Sequence, residues 1–212
     1  RALFYDVPWI RILGGEPLMH PDICEILSMY RKLFLESEID LCTNGLLIPR
    51  MSNTFFECLV KNRITVHVSG YKPTYSILEK IDKTLAQYQL NYTVLKREEF
   101  VKYYTTDQIN DADYNFCNCI ASGCRELYKG KLLRCSAVIA FEKMNEQYDV
   151  KYEINDTQDC FDIHEDSVDA WKIKHLLDNA SPICKYCDVK HMQKFAWENA
   201  GMCPPIHDYI ID

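Results

Sequence analysis

Trp9-Ile10-Arg11-Ile12-Leu13-Gly14-Gly15-Glu16-Pro17 is the stretch whose reading decides the fold. Trp9, Ile10, Ile12 and Leu13 form an apolar run interrupted only by Arg11, the pattern of a buried strand in a parallel sheet. Gly14 and Gly15 follow, where backbone passes close to something, then the carboxylate of Glu16, then Pro17, which stiffens the exit. Ligands of α/β barrels sit at the C-terminal strand ends, so Glu16 would face the site. Bare backbone beside a fixed carboxylate suits capture of a small cationic group such as an amino acid's ammonium. The glycines allow approach, and Glu16 accepts the hydrogen bonds.

The sequence that follows repeats the strand-to-helix theme. His20-Pro21-Asp22 reads as a helix start with Asp22 as N-cap, and Ile23, Ile26, Leu27, Tyr30, Leu33 and Phe34 recur at helical spacing. Residues 39–42 read as the next strand, ended by Thr43-Asn44-Gly45. Residues 53–61 make a short amphipathic helix, 64–68 a β-branched strand ending at Ser69-Gly70, 74–87 a helix and 92–95 another strand. Strands alternating with helices about every 25 residues predict βαβ units, right-handed crossovers and a parallel sheet. The fold class is therefore α/β. Near Lys96 the rhythm breaks: residues 97–116 are polar and mixed, and a cysteine-rich part begins at Cys117. We place the boundary near residue 110, giving a barrel-like domain over 1–110 and a small cysteine-rich α+β appendage over 111–212. The appendage opens with a hairpin, 126–128 against 132–134, turning through Lys129-Gly130. A helix over 166–178 then precedes Pro182 and Cys184-Lys185-Tyr186-Cys187.

Composition narrows the function classes. The 212 residues can bury a full core, and 48% hydrophobic with 26% charged residues is ordinary for a soluble globular protein. No apolar run is long enough to span a bilayer, and the first residues lack a basic-then-apolar signal pattern, so a cytoplasmic protein with no membrane partner is expected. A net charge of −7 without clustered Lys and Arg argues against a nucleic-acid partner. The eleven cysteines then read as reduced thiols available for metal rather than as disulfides.

Cys184-x-x-Cys187 can clamp one iron or zinc, because two thiolates so spaced in a tight turn converge on one centre. A second pair must come from elsewhere. Cys119 and Cys135 flank the hairpin and can supply it. Pairing through Lys129-Gly130 also brings Cys124 opposite Cys135, and Cys117 competes with Cys119. A structural zinc site and unliganded thiols are the plainer readings. Cys24, Cys42 and Cys58 read as small buried hydrophobes, Cys160 and Cys203 carry no assignment, His67 reads as a satisfied core histidine, and the tyrosines as packing.

Gly14-Gly15-Glu16-Pro17 resembles the S-adenosylmethionine-binding motif of the radical SAM enzymes. Thr43-Asn44-Gly45 resembles the phrase that often ends the following strand in that family, and Ser69 stands where the family places a polar group near the ligand's ribose or carboxylate. Cys119 ahead of Gly130-x4-Cys135, with Cys184-x-x-Cys187 later, resembles the twitch and SPASM appendages that hold an auxiliary 4Fe-4S cluster. Gln193 stands where the longer SPASM pattern has a cysteine, so the single-cluster twitch form fits better.

The resemblance implies a partial (β/α)6 TIM-like barrel lacking its first strand. It implies S-adenosylmethionine bound by Gly14, Gly15, Glu16, Pro17, Asn44 and Ser69, and an auxiliary cluster on Cys119, Cys135, Cys184 and Cys187, with Cys124 the first substitute. The family's catalytic cluster sits on Cys-x3-Cys-x2-Cys before the Gly-Gly-Glu strand, and no such triplet occurs in these 212 residues. Because the strand order begins mid-pattern at Arg1, we expect a preceding segment carrying that second 4Fe-4S cluster, and no activity from this stretch alone; a degenerate homologue is the other explanation. In the family, that cluster reduces S-adenosylmethionine to methionine and a 5′-deoxyadenosyl radical that abstracts a substrate hydrogen. The implied substrate is a small molecule or peptide, modified on a peptide or a sugar-like alcohol, with a reductant protein such as flavodoxin or ferredoxin. The rival expectation is a non-catalytic four-cysteine zinc or iron–sulfur interaction module on a degenerate α/β scaffold.

Overall fold

The structure, a computed structural model, describes residues 7–165, 169–198 and 204–211, so Cys203 lies outside the described residues. The chain divides into two compact units, Arg1–Glu99 and Phe100–Asp212.

The first unit is an α/β layer on a four-stranded parallel sheet in sequential order. Its elements are β1 (Trp9–Ile12), α1 (Ile23–Leu33), β2 (Glu38–Thr43), α2 (Asn53–Lys61), β3 (Ile64–Gly70), α3 (Lys72–Tyr75), α4 (Leu78–Gln87) and β4 (Tyr92–Lys96). One sheet face is apolar. Ile39 and Leu41 of β2 and Ile64, Val66 and Val68 of β3 pack with Leu27, Phe55, Phe56, Leu59, Ile81 and Leu85 of the helices into one core. α2 forms where its pattern predicts because the Ser52 hydroxyl accepts from Phe55 N–H at 3.2 Å and caps an N-terminus whose Phe55, Phe56 and Leu59 are all buried.

The structure differs from expectation at several points. β1 is not buried on both faces; at the sheet edge its burial alternates, with Trp9 and Arg11 on the face the helices do not cover. Asp22 stands at the N-cap of α1, but its carboxylate makes no capping bond, and its N–H donates to His20 Nδ1 at 3.1 Å. The helix expected over 74–87 is two helices. Thr74 donates to Asn44 O at 2.8 Å, Ser76 Oγ donates to Pro73 O at 2.6 Å, and the chain resets at Ile77 before α4. A long-range bond to the end of β2 thus overrides local helical spacing.

Gly45 turns the chain out of β2 with φ +80°, and a β carbon there would lie 2.8 Å from Val68 Cγ1 and 3.1 Å from Ile81 Cδ1. Backbone conformation and core packing both exclude a side chain. Gly45→Ala is expected to lower unfolding free energy by about 2–4 kcal/mol, read by urea denaturation.

The second unit contains β5 (Glu99–Lys102), α5 (Ala112–Asn118), β6 (Glu126–Tyr128), β7 (Lys131–Leu133), α6 (Ala137–Gln147), β8 (Cys160–Asp162), α7 (Ala170–Asp178) and β9 (Gln193–Ala196). β6, β7 and β8 form an antiparallel sheet, and β5 pairs with β9. The two compact units divide after Glu99, the first residue of β5, against the boundary near residue 110 expected from composition. The hairpin turns through Lys129 (φ 50°) and Gly130 (φ 79°), the two positive dihedrals of a two-residue turn matched to strand twist. β7 is one residue earlier than expected, ending at Leu133 and leaving Arg134 and Cys135 in the bend beyond it. α7 begins at Ala170, capped by the Asp169 carboxylate, which accepts from Lys172 N–H at 2.8 Å; residues 166–168 of the expected helix lie outside the described residues. The core gathers Leu133, Val138, Phe141, Tyr152, Ile183 and Tyr186, with the Phe141 and Tyr152 rings stacked at 4.1 Å.

Candidate functional site

The parallel sheet brings the expected ligand residues of the first unit to one edge. β1 and β2 run parallel with Ile12 beside Leu41, and β2 and β3 with Thr43 beside Val68. Gly14, Gly15 and Glu16 leave β1, Asn44 leaves β2 and Ser69 lies near the end of β3, all at the C-terminal side. The Glu16 carboxylate joins two of these ends. Its Oε1 accepts from Thr43 Oγ1 at 2.6 Å and from Leu18 N–H at 3.1 Å, and its Oε2 accepts from Asn44 N–H at 2.8 Å. A carboxylate offers about four lone-pair positions. One position on Oε2 therefore remains for a further donor.

Gly14 and Gly15 are exposed, and a β carbon built on either meets no atom within 4 Å. Neither packing nor a left-handed backbone requires glycine there, in contrast to Gly45. Pro17 is buried at the start of a short 3-10 turn capped by Glu16 itself. Asn44 is committed locally: its Oδ1 accepts from Leu46 N–H at 2.9 Å, which leaves the side-chain NH2 as its available donor. Ser69 is half-buried on the face that the helices leave uncovered.

That face carries a polar row the sequence reading missed. Asp40, 4% exposed, accepts from Trp9 Nε1 at 2.5 Å and lies 3.1 Å from His67 Nε2 and 3.8 Å from an Arg11 guanidinium nitrogen. His67 Nδ1 meets Thr93 Oγ1 at 2.6 Å, so both ring nitrogens are engaged and the histidine is satisfied. The only signal for the row was polar residues at alternate strand positions facing away from the apolar ones. Thr43 was also missed as the residue that fixes Glu16, although the phrase containing it was singled out.

In the second unit, Cys119, Cys135, Cys184 and Cys187 line one cavity, together with Tyr103, Tyr104, Asn115, Phe116 and Arg134. Cys117 and Cys124 are exposed and do not line it. The hairpin register does set Cys124 across from Cys135, but the paired strands end two residues short of them. The Cys184–Cys187 turn is held by other elements. Asn115 of α5, 3% exposed, donates through Nδ2 to Cys184 O at 3.0 Å and to Cys187 O, and accepts from Val189 N–H at 3.2 Å. Asp159, fully buried, accepts from Ile183 N–H at 2.9 Å and Asn155 N–H at 2.8 Å, and its carbonyl accepts from Arg134 N–H at 2.8 Å. The residue before Cys135 and the turn before Cys184 thus share one anchor. Nothing in the sequence marked Asn115 or Asp159.

Burial raises the Cys135 thiol to about 11, opposed by an Ala137 N–H bond and by Arg134, and reinforced by Cys184 and Cys119. Burial also raises Cys184 and Cys187, and Cys135 is the largest charge acting on Cys187. Thiols that push one another up are protonated at neutral pH until a cation replaces their protons. Ala121 N–H donates to Cys119 Sγ at 3.3 Å. Among the described residues, no three His, Cys, Asp or Glu side chains are gathered tightly enough for one metal ion. The four thiols form a cage only in the sense that they line one common cavity.

Exposure orders the reactivity of these thiols in the metal-free protein. Cys117 and Cys124 are expected to be alkylated by iodoacetamide at least about tenfold faster than Cys135, Cys184 and Cys187, read by peptide mass spectrometry. Equal rates would contradict this order of exposure.

Relatives share part of this sequence. The chain is 33% identical over 63 residues to a GTP 3′,8-cyclase of Microcystis aeruginosa, covering 30% of this chain and 19% of that protein. It is 32% identical over 79 residues to a probable GTP 3′,8-cyclase of Methanocaldococcus jannaschii, covering 37% of this chain and 25% of that one. A GTP 3′,8-cyclase of Alkaliphilus oremlandii is 33% identical over 64 residues, or 30% of this chain and 20% of its own length. The chain therefore matches at most about a quarter of the length of these curated relatives. No family model matches the chain. Among the described residues, no helix is long and apolar enough to cross a membrane.

Proposed function

We propose that this chain is part of a radical S-adenosylmethionine enzyme. In this reading the first unit belongs to a (β/α)6 barrel and binds S-adenosylmethionine at Gly14, Gly15, Glu16, Pro17, Asn44 and Ser69. The second unit holds an auxiliary 4Fe-4S cluster on Cys119, Cys135, Cys184 and Cys187. The partial likeness to GTP 3′,8-cyclases, enzymes of the radical S-adenosylmethionine class, supports the class. The observation that carries the reading is the cage of four thiols lining one cavity. A tetrahedral zinc draws its sulfurs to about 2.3 Å from a common centre. In a cubane each thiolate binds a different iron, so the sulfurs stand farther apart. The partial likeness to radical S-adenosylmethionine enzymes is what favours a cluster over zinc, since both take the same thiolate ligands.

The protein's part follows from its own groups. Glu16 offers its remaining Oε2 position to the ligand's ammonium, and its bonds to Thr43, Leu18 and Asn44 fix the carboxylate beforehand. The open sides of Gly14 and Gly15 admit the methionyl backbone. Asn44 NH2 and the Ser69 hydroxyl donate to other polar groups of the ligand. S-adenosylmethionine, when bound and reduced, supplies the hydrogen-abstracting radical. The substrate is a small molecule or peptide, and a flavodoxin- or ferredoxin-like protein delivers the electron. The test of the second unit is anaerobic reconstitution of the chain with ferrous iron and sulfide, followed by dithionite reduction. A paramagnetic 4Fe-4S signal is the expected result; a protein that takes up zinc and yields no such signal belongs to the rival class of zinc modules.

A further inference from the structure

The cysteine cavity is lined by a cation that, among the described residues, makes no ion pair, although Asp178 feels its charge from beyond that distance. Arg134 is 2% exposed, the largest fully buried side chain described. Its Nε donates to Asn179 O at 3.0 Å and its guanidinium lies 4.2 Å over the Phe116 ring, but its Nη1 is buried with no hydrogen-bond partner. Among the described residues, no carboxylate stands within ion-pair distance of it. An unpaired buried guanidinium with an orphan donor is strongly unfavourable, and native structures compensate such groups. Arg134 lines the same cavity as Cys119, Cys135, Cys184 and Cys187 and precedes one of them in sequence. A thiolate-ligated 4Fe-4S cluster is net negative in both its usual oxidation states, and its sulfurs accept hydrogen bonds.

We infer that Arg134 is the counter-cation of this cluster: its Nη1–H donates to a cluster or cysteinyl sulfur, and its charge raises the reduction potential. The inference rests on the cluster reading and adds a role to a residue that ligates no iron. Reduction adds one electron to the cluster, drawn from the external reductant, and no proton moves, because a guanidinium stays charged. A fixed positive charge favours the more negative, reduced form, so removing it lowers the potential. Asn179 O and the Phe116 ring hold the guanidinium in place without neutralising it.

The test uses the reconstituted chain. At the native midpoint potential, Arg134→Met is expected to show about a tenfold lower ratio of reduced to oxidised cluster, a downward shift of about 59 mV for a one-electron couple. Arg134→Lys, which keeps the charge, should shift by less than half of that. Because a buried arginine can be needed for folding, a second measurement leaves the sequence intact. Protein labelled with 15N only at arginine guanidinium nitrogens should show a weak 15N coupling in pulsed EPR of the reduced cluster, lost in Arg134→Lys. Normal iron and sulfide loading with no 15N coupling, or equal potentials in native and Arg134→Met proteins, overturns the role of Arg134 and leaves the cluster reading standing. Failure to load iron and sulfide at all overturns both.

Discussion

Cys184→Ala should abolish the auxiliary cluster: after anaerobic reconstitution the variant is expected to lose at least about nine-tenths of the bound iron and sulfide, together with the visible chromophore. The cage has four walls from three segments, α5 and its exit, the bend after β7, and the Cys184–Cys187 turn, so one missing thiolate opens it. Metal binding contributes folding energy when the site forms only in the folded chain. The same variant should therefore unfold at lower denaturant than the loaded native unit, while metal-free native and variant proteins differ far less. Cys124→Ala is the matching control. Cys124 is exposed and outside the cavity, so its loss should leave iron and sulfide within experimental error of native. If Cys124→Ala empties the site and Cys184→Ala does not, then the opposition of Cys124 and Cys135 in the hairpin, not the cavity, defines the ligands.

Glu16→Gln is the second large effect, and it separates binding from folding. The carboxylate takes three donors from the protein and keeps one acceptor position for a ligand. Glutamine replaces Oε2 by an NH2 that opposes Asn44 N–H. We expect stability to fall by about 1–2 kcal/mol, from the buried donor left unmatched. Affinity for S-adenosylmethionine should fall by at least about tenfold, the scale of a lost hydrogen bond to a charged group. Thr43→Val removes one positioning bond and the acceptor of Gly45 N–H, and keeps the charge. It should cost about 1–3 kcal/mol of stability while weakening binding only a few-fold. Calorimetry on the three proteins distinguishes the cases, and an unchanged affinity in Glu16→Gln removes the carboxylate from ligand capture.

How much of this was legible before the structure depends on the range of the interactions involved. α2 was legible to the residue, because a Ser cap and an apolar face are local signals. The parallel pairing of the strands followed from alternation, and the four thiols that line the cavity were singled out from spacing and resemblance. Nonlocal features were not legible. The break at Ile77 answers to a bond from Thr74 to Asn44, thirty residues away. Asp40 looked like an interruption in an apolar strand, and only its neighbours Trp9, Arg11 and His67 reveal the row across the sheet. Asn115, Asp159 and Arg134 act through partners 24 to 74 positions off, in the turn around Cys184 and at Asn179, and one Arg134 nitrogen has no partner among the described residues. Spacing singles out candidate ligands, whereas the residues that surround them emerge only from packing.

The central claim, that four thiols here hold an iron–sulfur cubane, is tested most directly by iron, acid-labile sulfide and zinc analysis of the anaerobically reconstituted chain. About four iron and four sulfide per chain, with zinc unable to displace them, is the predicted result. One zinc per chain with no sulfide, or no metal retained, would contradict it.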